Sequence, residues 1–124
     1  MNTILVVDDS PTVRQLIDLN LRKLSDVKIV HACDGKDALE KIKLEAPSII
    51  LTDVNMPNMN GIELIEAIRV GNGDKRTPII VITTKGEEAD AKRAADAGAT
   101  AYVTKPINGA NLIATVRGLL KTDG

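Results

Sequence analysis

Residues 4–17, ILVVDDSPTVRQLI, join an aliphatic run to two adjacent aspartates and then to a helical pattern. Residues 4–7 are apolar at every position, which is typical of a strand covered on both faces in the middle of a parallel sheet. Ser10 is a good capping residue, a proline follows it at the first helical position, and apolar residues then recur at helical spacing. The stretch predicts a strand and a helix, with Asp8 and Asp9 between them.

The same alternation repeats along the chain. Two further runs are apolar throughout, and two mixed runs fit the edges of a sheet: 49–51 and 79–82, then 27–32 and 101–104. Helical stripes separate these runs, and several begin after residues that favour helix starts, namely Asp34, Asn60 and Asn108. We expect one α/β domain over residues 1–124, with a doubly wound five-stranded parallel sheet in the order 2-1-3-4-5 and five helices.

Composition excludes several classes of protein. The formal net charge is -1, which gives no global electrostatic basis for binding nucleic acid or an anionic membrane. Cys33 is the single cysteine, so no internal disulfide can form and a reducing, cytoplasmic compartment is expected. The aliphatic runs are too short for a membrane span, and the N-terminus lacks the basic region of a signal peptide.

Chemically active side chains follow four of the predicted strands. Asp8 and Asp9 follow the first, Asp53 the third, Thr83 the fourth and Lys105 the fifth. Because ligands of such sheets bind beyond the carboxyl ends of the strands, we expect these groups to share one crevice. Carboxylates packed so closely need a cation to remain ionised together, and an all-oxygen ligand set suits Mg²⁺.

This set of groups also suits phosphoryl transfer. That reaction requires a nucleophile held in line and positive charge around the phosphoryl oxygens. Asp53 can be the nucleophile, Mg²⁺ and Lys105 the positive charge, and Thr83 a hydrogen-bond donor. The product would be an aspartyl phosphate. Each motif alone also fits an ordinary capped turn or loop, but all four strand ends that face the crevice carry reactive groups, which favours a shared site.

The motifs together closely resemble the receiver domain of bacterial two-component response regulators, of the stand-alone chemotaxis type with a flavodoxin-like fold. The resemblance rests on the pair Asp8-Asp9, on D-V-N-M-P-x-M-x-G from residue 53 to residue 61, on Thr83, and on the K-P pair at Lys105. It covers residues 3–121. By this resemblance Asp53 is the phosphoacceptor, and Thr83 and Lys105 bind the phosphoryl group.

The resemblance also implies roles for the surrounding residues. Asp8, Asp9 and the backbone carbonyl of Asn55 are expected around Mg²⁺ together with Asp53. Tyr102 is expected to turn inward when the phosphoryl group is present, while the Asn55 and Lys85 side chains are expected to tune its lifetime.

A receiver of this kind implies protein partners. A sensor histidine kinase would supply the phosphoryl group, a phosphatase could remove it, and an output protein such as a flagellar motor switch would read it. We expect a monomer that catalyses only its own phosphorylation and dephosphorylation. Because the sequence ends shortly after Leu120, we expect output by docking, with the alanine-rich helix 87–97, Tyr102 and the last helix as the output face.

The sequence alone leaves three alternatives. The chain could be an intermediary of a phosphorelay. A dehalogenase-like Mg²⁺ phosphatase also uses an aspartate nucleophile, but it resembles D-x-D after its first strand. A flavodoxin-like binding module needs a phosphate loop that the glycine-free segment 10–13 does not supply. His31 is expected to have no acidic neighbour and no metal-ligand spacing, and it is interpreted as structural or solvated.

Overall fold

A computed structural model of the chain describes residues 2–84 and 88–120. Five parallel strands form one sheet in the order β2-β1-β3-β4-β5, which confirms the predicted topology. The strands are β1 Asn2–Val7, β2 Val27–Ala32, β3 Ile49–Asp53, β4 Ile79–Thr84 and β5 Ala101–Lys105. Several of them extend one or two residues beyond their apolar runs, because the polar residues at their ends continue the hydrogen-bonded ladder.

Helices connect the strands on both faces of the sheet. They are α1 Pro11–Leu21, α2 Gly35–Glu45, α3 Gly61–Glu66, α4 Glu88–Ala97 and α5 Gly109–Leu120. The predicted caps are confirmed, since the side chains of four residues accept a hydrogen bond from a backbone N–H in the first turn: Ser10, Asp34, Asn60 and Asn108. Within the described residues, none of these helices combines the length and apolar character that crossing a membrane requires.

Alternate residues of each central strand enter two separate cores. Leu5 and Val7 pack towards α2, α3 and α4, whereas Ile4 and Val6 pack towards α1 and α5. All five residues of β3 are buried. Burial of each aliphatic side chain stabilises the fold by roughly 1.5–3 kcal/mol, so the three apolar strands fix the sheet and thereby the edge at which their polar ends meet.

The third helix differs from the continuous α-helix that its apolar stripe predicts. Beyond Glu66 it continues as a π-helical turn, Ala67–Gly71, closed by the hydrogen bond of 2.8 Å from Asn72 N to Ala67 O. The guanidinium of Arg69 lies buried here and donates to two backbone carbonyl oxygens, those of Gly98 and Asp74, at 3.0 Å each. Arg69 therefore ties this turn to the end of α4.

Helix α4 packs against the sheet through alanines, as its sequence predicts. Ala94 is 1% exposed, and a cavity of about 90 Å³ lies between the helix and the sheet, lined in part by Val81, Ala91 and Tyr102. Because alanine buries much less apolar surface than leucine or isoleucine, α4 is held more weakly than the other helices of its face.

Candidate functional site

The register of the sheet brings the predicted site residues to one edge. Asp8, the first residue after β1, is level with Asp53 at the end of β3. Asp53 pairs with Ile82, the residue before Thr83 on β4. Lys105, the last residue of β5, pairs with Thr84, the residue after Thr83. The aliphatic strands therefore place four polar residues from four strand ends side by side.

Three carboxylates form a cluster at this edge. Asp8, Asp9 and Asp53 each offer an oxygen, and these atoms all lie within 4.8 Å of one another. In the part of the chain that the structure describes, no other group of three acidic, histidine or cysteine side chains is this compact. Asp8 and Asp53 are buried, while Asp9 is exposed, so the cluster opens to solvent on the Asp9 side.

Asp8 carries the clearest sign that a cation belongs here. Its Oδ1 accepts a hydrogen bond from Ser10 N at 2.9 Å, but its buried Oδ2 has no hydrogen-bond partner. Burial raises the pKa of Asp8 above the ordinary value of 3.8, and the negative charge of Asp53 raises it further. A buried carboxylate oxygen that accepts no hydrogen bond is costly unless positive charge nearby offsets it.

Asp53 is held in a fixed orientation between two donors. Val54 N donates to Asp53 Oδ1 at 2.8 Å, and Lys105 Nζ donates to Asp53 Oδ2 at 3.4 Å. The same ammonium lies 3.8 Å from Asp8 Oδ2. One lysine thus faces two buried carboxylates with Asp9 nearby, so the site keeps an excess of negative charge. These oxygen donors fit a hard divalent cation such as Mg²⁺.

The loop between β3 and α3 approaches Asp53 closely. Gly61 N donates to Val54 O at 2.8 Å, and a Cβ on Gly61 would overlap the carbonyl oxygen of Asp53. Only glycine permits this approach, which explains the glycine that ends the motif. Asn55 lies in this loop with an exposed side chain.

The two predicted switch residues lie in different environments. Thr83 is buried near the end of β4, whereas Tyr102 on β5 is 61% exposed. The ring of Tyr102 therefore lies outward in this structure, next to the cavity under α4. Lys85, predicted to tune the lifetime of the phosphoryl group, falls outside the described residues.

Two contacts were not predicted from the sequence. Arg14 Nη1 donates to the backbone carbonyl of Asp8 at 2.6 Å and so secures the loop that carries both aspartates. The expectation that His31 has no acidic neighbour is wrong, since its Nε2 lies 3.9 Å from Asp18 Oδ1 on α1. The sequence places Arg14 on a predicted helix but does not show that it reaches the Asp8 carbonyl. It also does not show that His31 of the edge strand β2 faces α1.

Comparison with known proteins agrees with this geometry. The response regulator receiver domain family matches residues 4–117. The chain therefore belongs to the family of response regulator receiver domains, which are phosphorylation-activated switches of two-component systems.

Individual relatives extend the comparison. Chemotaxis protein CheY1 of Helicobacter pylori strain J99 is 41% identical over 104 residues, which cover 83% of this chain and 84% of that protein. The chemotaxis response regulator CheY4 of Vibrio cholerae has a structure with a TM-score of 0.86 and 34% identity, covering 96% of this chain and 98% of that one. The Francisella response regulator 1452 receiver domain has a TM-score of 0.88 at 28% identity, with both chains covered to 100%.

Proposed function

We propose that this chain accepts a phosphoryl group on Asp53 from a histidine kinase, with Mg²⁺ bound beside it, and that the phosphorylated form docks on an output protein of chemotaxis. The observation that supports this most strongly is the buried Oδ2 of Asp8, which accepts no hydrogen bond and lies close to the carboxylates of Asp9 and Asp53, with Lys105 Nζ at 3.8 Å as its one nearby cation in the described residues. The names of the chemotaxis relatives support the choice of pathway.

Asp8, Asp9, Asp53 and the backbone carbonyl of Asn55 are the proposed ligands of Mg²⁺. When bound, the ion supplies positive charge that offsets the repulsion between the carboxylates and stabilises phosphoryl oxygens. The chain contributes the rest of the site, with Val54 N orienting the Asp53 carboxylate and Arg14 securing the carbonyl of Asp8.

In the proposed reaction a carboxylate oxygen of Asp53 forms a bond to phosphorus as the P–N bond of phosphohistidine breaks. The imidazole leaves with the electron pair of that bond and takes up a proton. Lys105 Nζ, already 3.4 Å from Asp53 Oδ2, donates to a phosphoryl oxygen, and the Thr83 hydroxyl donates to another. Hydrolysis of the aspartyl phosphate returns the carboxylate, so the chain acts on its own phosphoryl group and is no enzyme in the ordinary sense.

The response to phosphorylation is proposed to pass through Thr83, Tyr102 and α4. Shifting a two-state equilibrium from 1:99 to 99:1 takes about 5.5 kcal/mol, and hydrogen bonds to charged groups contribute roughly 1.5–3 kcal/mol each. Two such bonds, from Thr83 and Lys105, supply most of that difference. Movement of Thr83 towards the phosphoryl group would let the exposed Tyr102 ring turn inward and change the face formed by α4, Tyr102 and α5.

The proposed partners follow from the same scheme. They are a sensor histidine kinase, an output protein such as a flagellar motor switch, and a phosphatase, all meeting a monomeric receiver in the cytoplasm. The Asn55 and Lys85 side chains are proposed to control water access to the aspartyl phosphate. A pull-down with beryllofluoride-treated protein, compared with an Asp53→Asn variant, identifies partners of the activated form.

The function is tested by intact-mass measurement after incubation with acetyl phosphate. We expect one added phosphoryl group in the presence of Mg²⁺ and none with a chelator. Asp53→Asn should abolish the adduct. Asp96→Asn, which changes an exposed carboxylate on α4, should leave it unchanged. Release of many equivalents of phosphate by steady turnover of a phosphate ester would instead favour a dehalogenase-like phosphatase.

A further inference from the structure

A hydrogen bond links the start of α2 to the loop that carries Asn55. Asn58 Nδ2 donates to Asp34 Oδ2 at 2.7 Å, although the two residues are 24 positions apart. Asp34 is 8% exposed, and its other oxygen accepts from Asp37 N at 2.8 Å as the cap of α2. A single carboxylate therefore caps one helix and holds a residue of the neighbouring loop.

The backbone at Asn58 explains why this loop needs an external support. Asn58 has a φ of +66°, in the left-handed region, and it is the central residue of a tight turn closed by Met59 N and Pro57 O at 2.7 Å. Three-residue turns with a positive φ are uncommon and cost free energy, so they persist where other contacts hold them. Asparagine tolerates this conformation better than other residues with a side chain.

A second contact joins the same two loops. Gly35 N donates to Met59 O at 3.2 Å, and a Cβ on Gly35 would lie 2.6 Å from Met59 Cγ, so the chains meet too closely for any other residue at position 35. The first residue of the loop, Val54, is held by the hydrogen bond that its carbonyl oxygen accepts from Gly61 N. The segment between these anchors contains Asn55, whose carbonyl is a proposed ligand of Mg²⁺.

We infer that Asp34 is a positioning residue for the magnesium site, acting through Asn58 to hold the β3–α3 loop in the conformation that presents the Asn55 carbonyl. The inference rests on the proposed function. Groups that hold metal ligands in place without touching the metal commonly affect metal affinity by about 10–100-fold when removed. The charge on Asp34 strengthens its hydrogen bond to the Asn58 amide, as in other charge-assisted pairs.

Two substitutions remove this contact while keeping the local backbone. Asn58→Gly deletes the amide but accepts the positive φ, and Asp34→Ser keeps a capping oxygen for α2 but is too short to reach Asn58. We expect each to weaken Mg²⁺ binding about tenfold in calorimetric titration of the unphosphorylated protein. The Mg²⁺ affinity of the double variant should lie within about twofold of that of either single variant, because both changes remove the same contact.

A charge-conserving exchange provides the rescue. Asn58→Asp places two carboxylates against each other and should weaken Mg²⁺ binding at least as much as Asn58→Gly. Adding Asp34→Asn reverses donor and acceptor, restores the hydrogen bond and the net charge, and should recover most of the wild-type affinity. Ala46→Gly serves as the control, since Ala46 also has a positive φ, of 45°, but lies at the other end of α2.

The outcomes separate this inference from the proposed function. The positioning role is overturned if Asn58→Gly binds Mg²⁺ within about twofold of the wild-type affinity. It is also overturned if adding Asp34→Asn to Asn58→Asp does not recover Mg²⁺ affinity. In both cases the magnesium site itself stands. If the wild-type protein itself does not bind Mg²⁺, the proposed function fails and this inference fails with it. Urea denaturation of each variant without metal checks that a loss of affinity does not reflect unfolding.

Discussion

Lys105 Nζ lies 3.4 Å from Asp53 Oδ2, so the last strand reaches past β4 to place its ammonium on the carboxylate at the end of β3. The same nitrogen is 3.8 Å from Asp8 Oδ2. The Lys105 ammonium therefore already neutralises part of the negative charge that would attract a bound cation.

This competition makes a prediction about Lys105→Met. Removing the ammonium leaves the carboxylates without their lysine partner, so we expect Mg²⁺ to bind more tightly, on the order of threefold to tenfold. Calorimetric titration measures the change. Lys28→Met is the control because Lys28 pairs with Glu45 on the surface and should leave affinity unchanged. Weaker binding by Lys105→Met would mean that the lysine supports the metal site.

Asp8→Asn is expected to stabilise the protein in the absence of Mg²⁺. The folded-state pKa of Asp8 is raised, chiefly by burial, so its ionised form is disfavoured in the folded protein. The resulting loss of stability is complete at pH values above the folded pKa and disappears as the pH falls towards 3.8, the ordinary value. At pH 7 we expect Asp8→Asn to raise the free energy of unfolding by roughly 1 kcal/mol.

Urea denaturation with a chelator present measures this difference. The gain should shrink as the pH is lowered through the acid range, because the wild-type carboxyl becomes protonated and resembles the amide. A variant that is less stable than the wild type at pH 7 would show that the Asp8 charge is well compensated without a metal.

The single histidine permits an unambiguous titration. Partial burial lowers the pKa of His31 below 6.5, although the nearby Asp18 carboxylate opposes this shift. Its contribution to stability is therefore present above pH 6.5 and is lost as the pH falls towards the folded value. We expect the imidazole protons to titrate by NMR with a midpoint below 6.5, and Asp18→Asn to lower the midpoint further. A midpoint that rises in Asp18→Asn would contradict the assigned contact.

Much of this architecture was predictable because it depends on local patterns. The apolar runs of β1, β3 and β4 can be buried on both faces only in the middle of a parallel sheet, and the order of elements then fixes the edge where Asp8 and Asp53 meet. The caps were equally visible, since Asp34 and Asn60 each stand immediately before a helical stripe.

Other features depend on contacts between distant segments and were not visible in the sequence. Arg69 directly follows Ile68, the last residue of the apolar stripe of the third helix, and only the π-helical turn and the approach of Gly98 make it a buried donor. The second role of Asp34 is similar, because its cap is local but its contact with Asn58 depends on how two loops meet. Sequence periodicity carries no information about such pairings.

Arg69 gives a prediction about stability. Arg69→Met keeps the aliphatic stem but leaves the carbonyls of Gly98 and Asp74 without the guanidinium, so we expect the free energy of unfolding to fall by roughly 2–3 kcal/mol. Arg93→Met is the matched control because the Arg93 side chain is 63% exposed, and it should change stability by less than about 0.5 kcal/mol. Equal effects in urea denaturation would contradict a structural role for the buried arginine.

Asp53 is the proposed phosphoacceptor of a magnesium site built with Asp8 and Asp9. Borohydride reduces an aspartyl phosphate to homoserine, so peptide mass spectrometry of the reduced protein locates the modified residue. After incubation with Mg²⁺ and acetyl phosphate we predict homoserine at position 53 alone, and none when Asp8 and Asp9 are both replaced by asparagine in a protein that remains folded. Homoserine at another position, or undiminished modification of Asp53 in that double variant, would contradict the account.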